Sequence, residues 1–218
     1  MHSIPLYKKI LSLVYPVVVH TAEESDKLPL PQLYLYRGQY QVATNDALYS
    51  DGTRYRPLKI AFKKIESKLA ATTNVLVLGT GLGSAVHILY SKGYTPQYTL
   101  VDYDKITLRW AMELLPAPVA AKTNAILSDA ETFMQTHTAA YDLLIIDIFK
   151  GRVVPAFVMA PAFLQNCRRC MTPAAILILN YMVNNEAEWQ ANLKTFQQVF
   201  PNHQVIATGI NRLIIATV

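Results

Sequence analysis

Four apolar runs in this chain of 218 residues each stop on a residue suited to hold a nucleotide-type ligand. NVLVLGTG (74–81) carries Gly79, YTLVD (98–102) ends on Asp102, NAILSD (124–129) on Asp129, and YDLLIID (141–147) on Asp147. The runs lie far enough apart for the helical crossover that each pair of parallel strands requires. In an open parallel sheet the ligand sits outside the carboxyl ends of the strands, where these residues would gather. The pattern therefore points to a nucleotide-type cofactor, and so to an enzyme.

A hydrophobic fraction of 52% against 16% charged residues suits a well-buried sheet and excludes a disordered chain. The length accommodates one α/β domain and a small extra module. Two cysteines, Cys167 and Cys170, cannot build a disulfide framework, so a reducing, cytoplasmic setting is expected. Their C-x-x-C spacing falls inside a predicted helix with no further ligands nearby, and no metal site is expected. A net charge of +5 and a pI near 9.1 favour anionic partners weakly. The opening MHSIPLYKKILSLVYPVVVH imitates a signal peptide, but Pro16 interrupts it and no small-x-small site follows; a first strand is expected there. No apolar run is long enough for a bilayer, so no membrane partner is expected.

Residues 1–52 read as a small β-module: VYPVVV (14–19) and QLYLYRGQYQVAT (32–44) are candidate strands, with a turn near Arg37-Gly38 and no helix before residue 55. Residues 53–218 read as the main domain. PLKIAFKKIESKL (57–69) has helical spacing, and from residue 74 strands alternate with helices at SAVHILYSK, KITLRWAMELL, AETFMQTH, 159–170 and EAEWQANLKTFQQVF. AAILILNY (174–181) makes a fifth strand. HQVIATG (203–209) and RLIIATV (212–218) are so close that only an antiparallel hairpin joins them. Many S-adenosylmethionine-dependent transferases share a parallel sheet finished this way.

Gly79-Thr80-Gly81-Leu82-Gly83-Ser84 follows a strand and opens a helix, where glycines let backbone approach a ligand and the helix N-terminus favours negative charge. Asp102 lies 23 positions after Gly79, near the spacing of a carboxylate that binds ribose hydroxyls. Asp104 suits the N-cap of the next helix. Ser128 and Glu131 form a capping-box pattern, leaving Asp129 to face the ligand and accept from an adenine amino group. Asp147 ends an apolar run with no helix to cap; a carboxylate there is costly unless paired or used, and it suits a base for an acceptor. A solvated helix face accounts for Arg54, Arg56, Lys59, Lys63, Lys64 and Lys68, so no nucleic-acid partner is expected. His87 reads as packing, and Ser50 and Ser84 have no identifiable base.

At these residues the chain resembles the spermidine synthase family, aminopropyltransferases on the S-adenosylmethionine-dependent methyltransferase fold. The resemblance spans nearly the whole length. Gly38, Gln41 and Asp46 keep the spacing of the family's N-terminal motif, with Tyr49 one residue short of its usual place. It implies a Rossmann-like seven-stranded α/β fold with a C-terminal antiparallel hairpin, preceded by a small N-terminal β-module. It also implies cofactor contacts from Gln41, Gly79, Thr80, Gly81, Gly83, Asp102, Tyr103, Asp129 and Ala130, catalysis by Asp147, and an acceptor pocket near Tyr49, Phe149 and Lys150. The family's N-terminal sheet pairs with a copy of itself, so a homodimer is expected. Departures matter equally. Leu82 stands where the family has an acid inside the glycine turn, Lys150 where it has a second aspartate, and Tyr49-Ser50-Asp51 where it has Tyr-His-Glu. A lysine repels an ammonium at close range, which argues against putrescine as acceptor.

The expected activity is transfer of a methyl or aminopropyl group from S-adenosylmethionine or its decarboxylated form to a small-molecule acceptor of amine type. Two other readings compete with it: an NAD(P)-dependent oxidoreductase, disfavoured because Ser84 takes the fingerprint's last small position and the closing hairpin fits poorly, and a non-catalytic relative that keeps the adenosyl pocket.

Overall fold

The computed structural model describes residues 4–23, 30–44 and 48–218. The N-terminal part is an antiparallel sheet of β1 (Val17–Thr21), β2 (Gln32–Tyr36), β3 (Gln39–Ala43) and β4 (Leu48–Ser50), in that order. The turn between β2 and β3 falls on Arg37 and Gly38, both at positive φ, as the turn signal anticipates. Two expectations fail here. A helix, α1 (Leu6–Leu11), occupies part of the stretch read as a strand, so the module has a helix well before residue 55. The reason is compositional. Leu-Tyr-Lys-Lys-Ile-Leu follows Pro5 and favours helix, whereas the β-branched run begins only after Pro16.

The main sheet holds seven strands: β5 (Asn74–Leu78), β6 (Gln97–Asp102), β7 (Thr123–Leu127), β8 (Tyr141–Ile146), β9 (Met171–Met182), β10 (His203–Thr208) and β11 (Asn211–Thr217). Their order is β10-β11-β9-β8-β5-β6-β7. The five strands from β5 to β9 pair in parallel, while β11 runs antiparallel to both β9 and β10. Strand order reverses at β5, with β6 on one side and β8 on the other, which makes the β5/β8 edge a topological switch point.

Helices cover both faces. α2 (Arg56–Lys64), α3 (Glu66–Leu69), α4 (Ser84–Ser91) and α5 (Lys105–Leu114) lie on one, packing Phe62, Leu69, Leu89 and Leu108 against Val75, Val77 and Ile145. On the other, α7 (Ala130–Thr136), α8 (Pro161–Arg169) and α9 (Glu186–Val199) pack Met134, Leu164 and Phe196 against Leu76, Leu144 and Leu177. A one-turn α6 (Ala117–Ala120) follows Pro116. The helix expected over 57–69 breaks at Ile65, whose φ of −108° and ψ of 15° separate α2 from α3, although Ile65 and Leu69 both remain buried. Cys167 and Cys170 are free thiols buried in the α8 core. Among the described residues no helix is long and apolar enough to cross a membrane.

The two parts meet through a third apolar cluster of Leu33, Val42, Leu82 and Trp110. Leu82 is 1% exposed and therefore belongs to the core, not to an open rim. Replacing it by aspartate, one of the acids the family resemblance would place there, buries a carboxylate among apolar side chains. Urea unfolding of Leu82→Asp should show a loss of more than about 2 kcal/mol; a loss below a few tenths would mean that position 82 has access to water.

Candidate active site

A cleft of about 630 Å³ opens at the carboxyl ends of β5, β6, β7 and β8, over the switch point. Its walls include Val101, Ile148, Pro155 and Phe157. Of the residues singled out from the sequence, Tyr49, Gly79, Gly81, Asp102, Tyr103, Asp129, Ala130, Asp147, Phe149 and Lys150 all line it. Gln41, Thr80 and Gly83 do not. Gln41 Nε2 donates to Asp51 Oδ1 at 2.7 Å, Thr80 is buried with Oγ1 donating to the Val101 carbonyl, and Gly83 is the left-handed N-cap of α4. Asp46 lies outside the described residues.

The glycine turn is shaped first by the protein's own backbone. Gly79 has φ +83°, and a Cβ on it would sit 2.3 Å from the Asp147 carbonyl oxygen. Gly81 has φ +52°, and its Cβ would meet the Tyr49 carbonyl at 3.1 Å. Close approach is thus demanded between segments of the chain, and not solely by a ligand as the sequence suggested.

Asp102 holds this turn in place. Its Oδ2 accepts from the amides of Thr80 at 3.0 Å and Gly81 at 3.2 Å, and its Oδ1 from the amide of Asp104 at 3.0 Å. Charge-assisted bonds of this kind are among the stronger ones in proteins. Asp104 in turn caps α5, accepting from the Thr107 amide at 2.6 Å, as anticipated.

The capping assignment at α7 needs correction. Asp129 is the N-cap, its Oδ1 accepting from the amides of Glu131 at 2.9 Å and Thr132 at 3.2 Å. Its extended backbone, φ −65° and ψ 136°, puts the carboxylate over those amides. Ser128 stands one residue too early, and its hydroxyl donates to the Asp129 carbonyl instead. Asp129 nevertheless lines the cleft, so capping α7 and lining the cleft fall on one side chain.

Asp147 follows β8 with no cap to make. Its Oδ1 accepts from Tyr55 Oη at 3.1 Å and from Asn180 Nδ2 at 2.9 Å. Asn211 Nδ2 donates to Asn180 Oδ1 at 2.8 Å, which aims the amide's donor end at Asp147. Burial pushes the carboxyl up to about 6, against the opposing pull of its two donors. The Tyr55 phenol is raised as well, by burial first and then by the Asp147 charge.

Tyr49, which also lines the cleft, accepts at Oη from the Gly151 amide at 2.8 Å, tying the loop after β8 to β4. Ser50 and Ser84 share a buried hydroxyl contact at 2.6 Å, which fastens the small sheet to α4. His87 is half-buried, and burial lowers its pKa. Sequence reasoning missed Tyr55, Asn180 and Asn211. Asn180 had a signal, since a polar residue ends the apolar run AAILIL as Asp147 ends LLII. Tyr55 had none, because only the fold brings it across 92 positions to Asp147.

The sheet order and the cleft at its switch point define a Rossmann-like α/β protein of the methyltransferase fold. No protein-family model and no curated protein sequence matches the chain. Solved structures do. A probable spermidine synthase from Corynebacterium glutamicum is similar with a TM-score of 0.75 at 18% identity, over 93% of this chain and 81% of that one. Spermidine synthase from Thermotoga maritima gives 0.68 at 12% identity, over 92% and 72%. Human methyltransferase-like protein 13 in complex with SAH gives 0.61 at 18% identity, over 73% and 78%. At such identities the likeness is one of fold: the chain is spermidine-synthase-like in architecture.

Two measurements check this geometry. Gly79→Ala should destabilise by at least the 1–3 kcal/mol typical of backbone strain (about that range), because its methyl meets main chain that cannot swing away; an unchanged denaturation midpoint would contradict the close approach. The raised Asp147 carboxyl binds its proton more tightly folded than unfolded. Its favourable contribution is therefore complete below about pH 4 and lost as pH rises through about 6. Asp147→Asn keeps an oxygen for both donors without ionising, so it should gain roughly 2–3 kcal/mol on wild type between those limits. Parallel stability curves for the two proteins would exclude the raised carboxyl.

Proposed function

We propose that this chain is a spermidine-synthase-like transferase that moves a methyl or aminopropyl group from S-adenosylmethionine or its decarboxylated form to an amine-type acceptor other than putrescine. The observation that supports it most is Asp147, a carboxylate at the switch point with two donors and a pKa near 6, facing a cleft that also gathers Asp102, Asp129 and the glycine turn. The cleft fits an adenosyl group in its chemistry: Val101 and Ile148 offer apolar walls, Asp129 an acceptor for an amino group, and Asp102 a carboxylate for hydroxyls. The solved complexes of similar fold contain SAH and the transition-state analogue AdoDATO, and they motivate this choice of ligand.

The donor, when bound, supplies a carbon already activated by its sulfonium, so the protein's task is mostly alignment. Asp147 is assigned the acceptor's proton. At neutral pH it is largely ionised, yet its pKa is high enough to take a proton from an amine as the new bond forms. Tyr55 and Asn180 hold its Oδ1 so that the carboxylate does not rotate away. Phe149, Pro155 and Phe157 supply apolar surface that keeps water from the reacting end. Putrescine is disfavoured because Lys150 lines the same cleft and Leu82 is buried in the core.

Calorimetric titration with S-adenosylmethionine, its decarboxylated form, methylthioadenosine and S-adenosylhomocysteine tests the reading directly. Asp102→Ala should abolish binding, whereas Asp147→Asn should bind normally and lose turnover by at least about a hundredfold. Wild-type turnover should rise with pH to a plateau above about 6, as Asp147 ionises. Undiminished binding by Asp102→Ala removes the ribose assignment. Tight NADH binding without affinity for any adenosyl sulfonium overturns the whole reading.

A further inference from the structure

The loop after β8 carries a cation whose starting point is built into the fold. Lys150 and Val153 exchange backbone hydrogen bonds, at 2.9 Å from the Lys150 amide and 3.1 Å from the Val153 amide. They close a tight turn in which Gly151 takes φ +61°. The Tyr49 hydroxyl receives the Gly151 amide and pins that turn to β4. Lys150 thus leaves the backbone from a held position, and its ammonium lies 6.0 Å from the centre of the Tyr103 ring, a residue at the end of β6 on another wall of the cleft.

The other charged groups that line the cleft are the carboxylates of Asp102, Asp129 and Asp147. Each accepts from protein donors while keeping acceptor capacity toward the cleft: Asp102 from the glycine-turn amides, Asp129 from the α7 amides, Asp147 from Tyr55 and Asn180. Among the described residues no ion pair joins any of them to Lys150. Lys150 is itself exposed, so it offers an incoming anion a solvent-accessible positive charge on the cleft wall, beside the Tyr103 ring. An ammonium on a flexible stem also suits a carboxylate without demanding a bidentate approach.

We infer that Lys150 is the counter-ion for a ligand carboxylate, so that the ligands of this cleft include an acid. The inference rests on the transferase reading above. Two ligands of that reaction can bring the group: the aminoacyl end of intact S-adenosylmethionine, which the decarboxylated form lacks, and an acceptor amine that also bears a carboxyl.

The test compares wild type, Lys150→Met and Lys150→Glu as full chains. Titration uses S-adenosylmethionine, its decarboxylated form, and methylthioadenosine, which has no aminoacyl end. With the donor as source, wild type should prefer the intact donor by up to about fivefold, the upper scale of one exposed ion pair. That preference should vanish in Lys150→Met and invert in Lys150→Glu, with methylthioadenosine affinity equal in all three. With the acceptor as source, the donor ratio stays put. Of two acceptors differing only by a carboxyl, the acid then shows the higher KM in Lys150→Met while the plain diamine does not. If substitution at Lys150 moves neither the donor ratio nor the acceptor KM, the inference fails while methylthioadenosine binding preserves the transferase reading. Absence of any adenosyl binding by wild type overturns both.

Discussion

The site depends on how closely the main chain at Gly79 passes Asp147. A single added methyl would lie 2.3 Å from the Asp147 carbonyl, so these two strand ends touch backbone to backbone. The Asp147 amide donates to the Leu78 carbonyl and the Gly79 amide to the Val101 carbonyl, extending both ladders to the rim. The Asp102 carboxylate then gathers the next amides of the turn. One carboxylate thereby fixes the floor of the cleft before any ligand arrives, and the cost of desolvating it is met by three amide donors.

Around that floor, distant parts of the chain supply the working groups. Tyr49 comes from the small antiparallel sheet, Tyr55 from the segment leading into α2, Asn180 from β9 and Asn211 from β11. Asn211 reaches Asn180 because β11 inserts between β9 and β10 instead of adding at the edge. The closing hairpin is thus coupled to Asp147 through a chain of side-chain amides. Such a network orients a carboxylate while leaving it a raised pKa, since burial outweighs two neutral donors.

Much of the strand order along the chain was legible from apolar runs and their spacing, because a strand buried on both faces must be apolar throughout. The hairpin followed from a link too short for anything else. Asp104 as a cap was legible as well, being a local rule. The Ser128 assignment went wrong for an instructive reason: two potential caps stood side by side, and the extended backbone at Asp129 decided between them. α1 was missed because the apolar character of the first residues outweighed their helical propensity. The break at Ile65 left no trace in the periodicity, which runs through it undisturbed.

What the sequence determined by itself was the set of strand ends and the residues that sit on them, since burial and period are local properties of the chain. It also placed Lys150 and Leu82 where the family resemblance expects acids. Tertiary structure alone decided what those residues do. It sent Leu82 into the core and Lys150 into the cleft, assigned Asp102 to the glycine turn, and gave Asp147 its partners Tyr55 and Asn180. The physical reason is that a hydrogen bond between residues 92 apart in sequence exists only after the sheet has closed its switch point, and no local pattern encodes that distance.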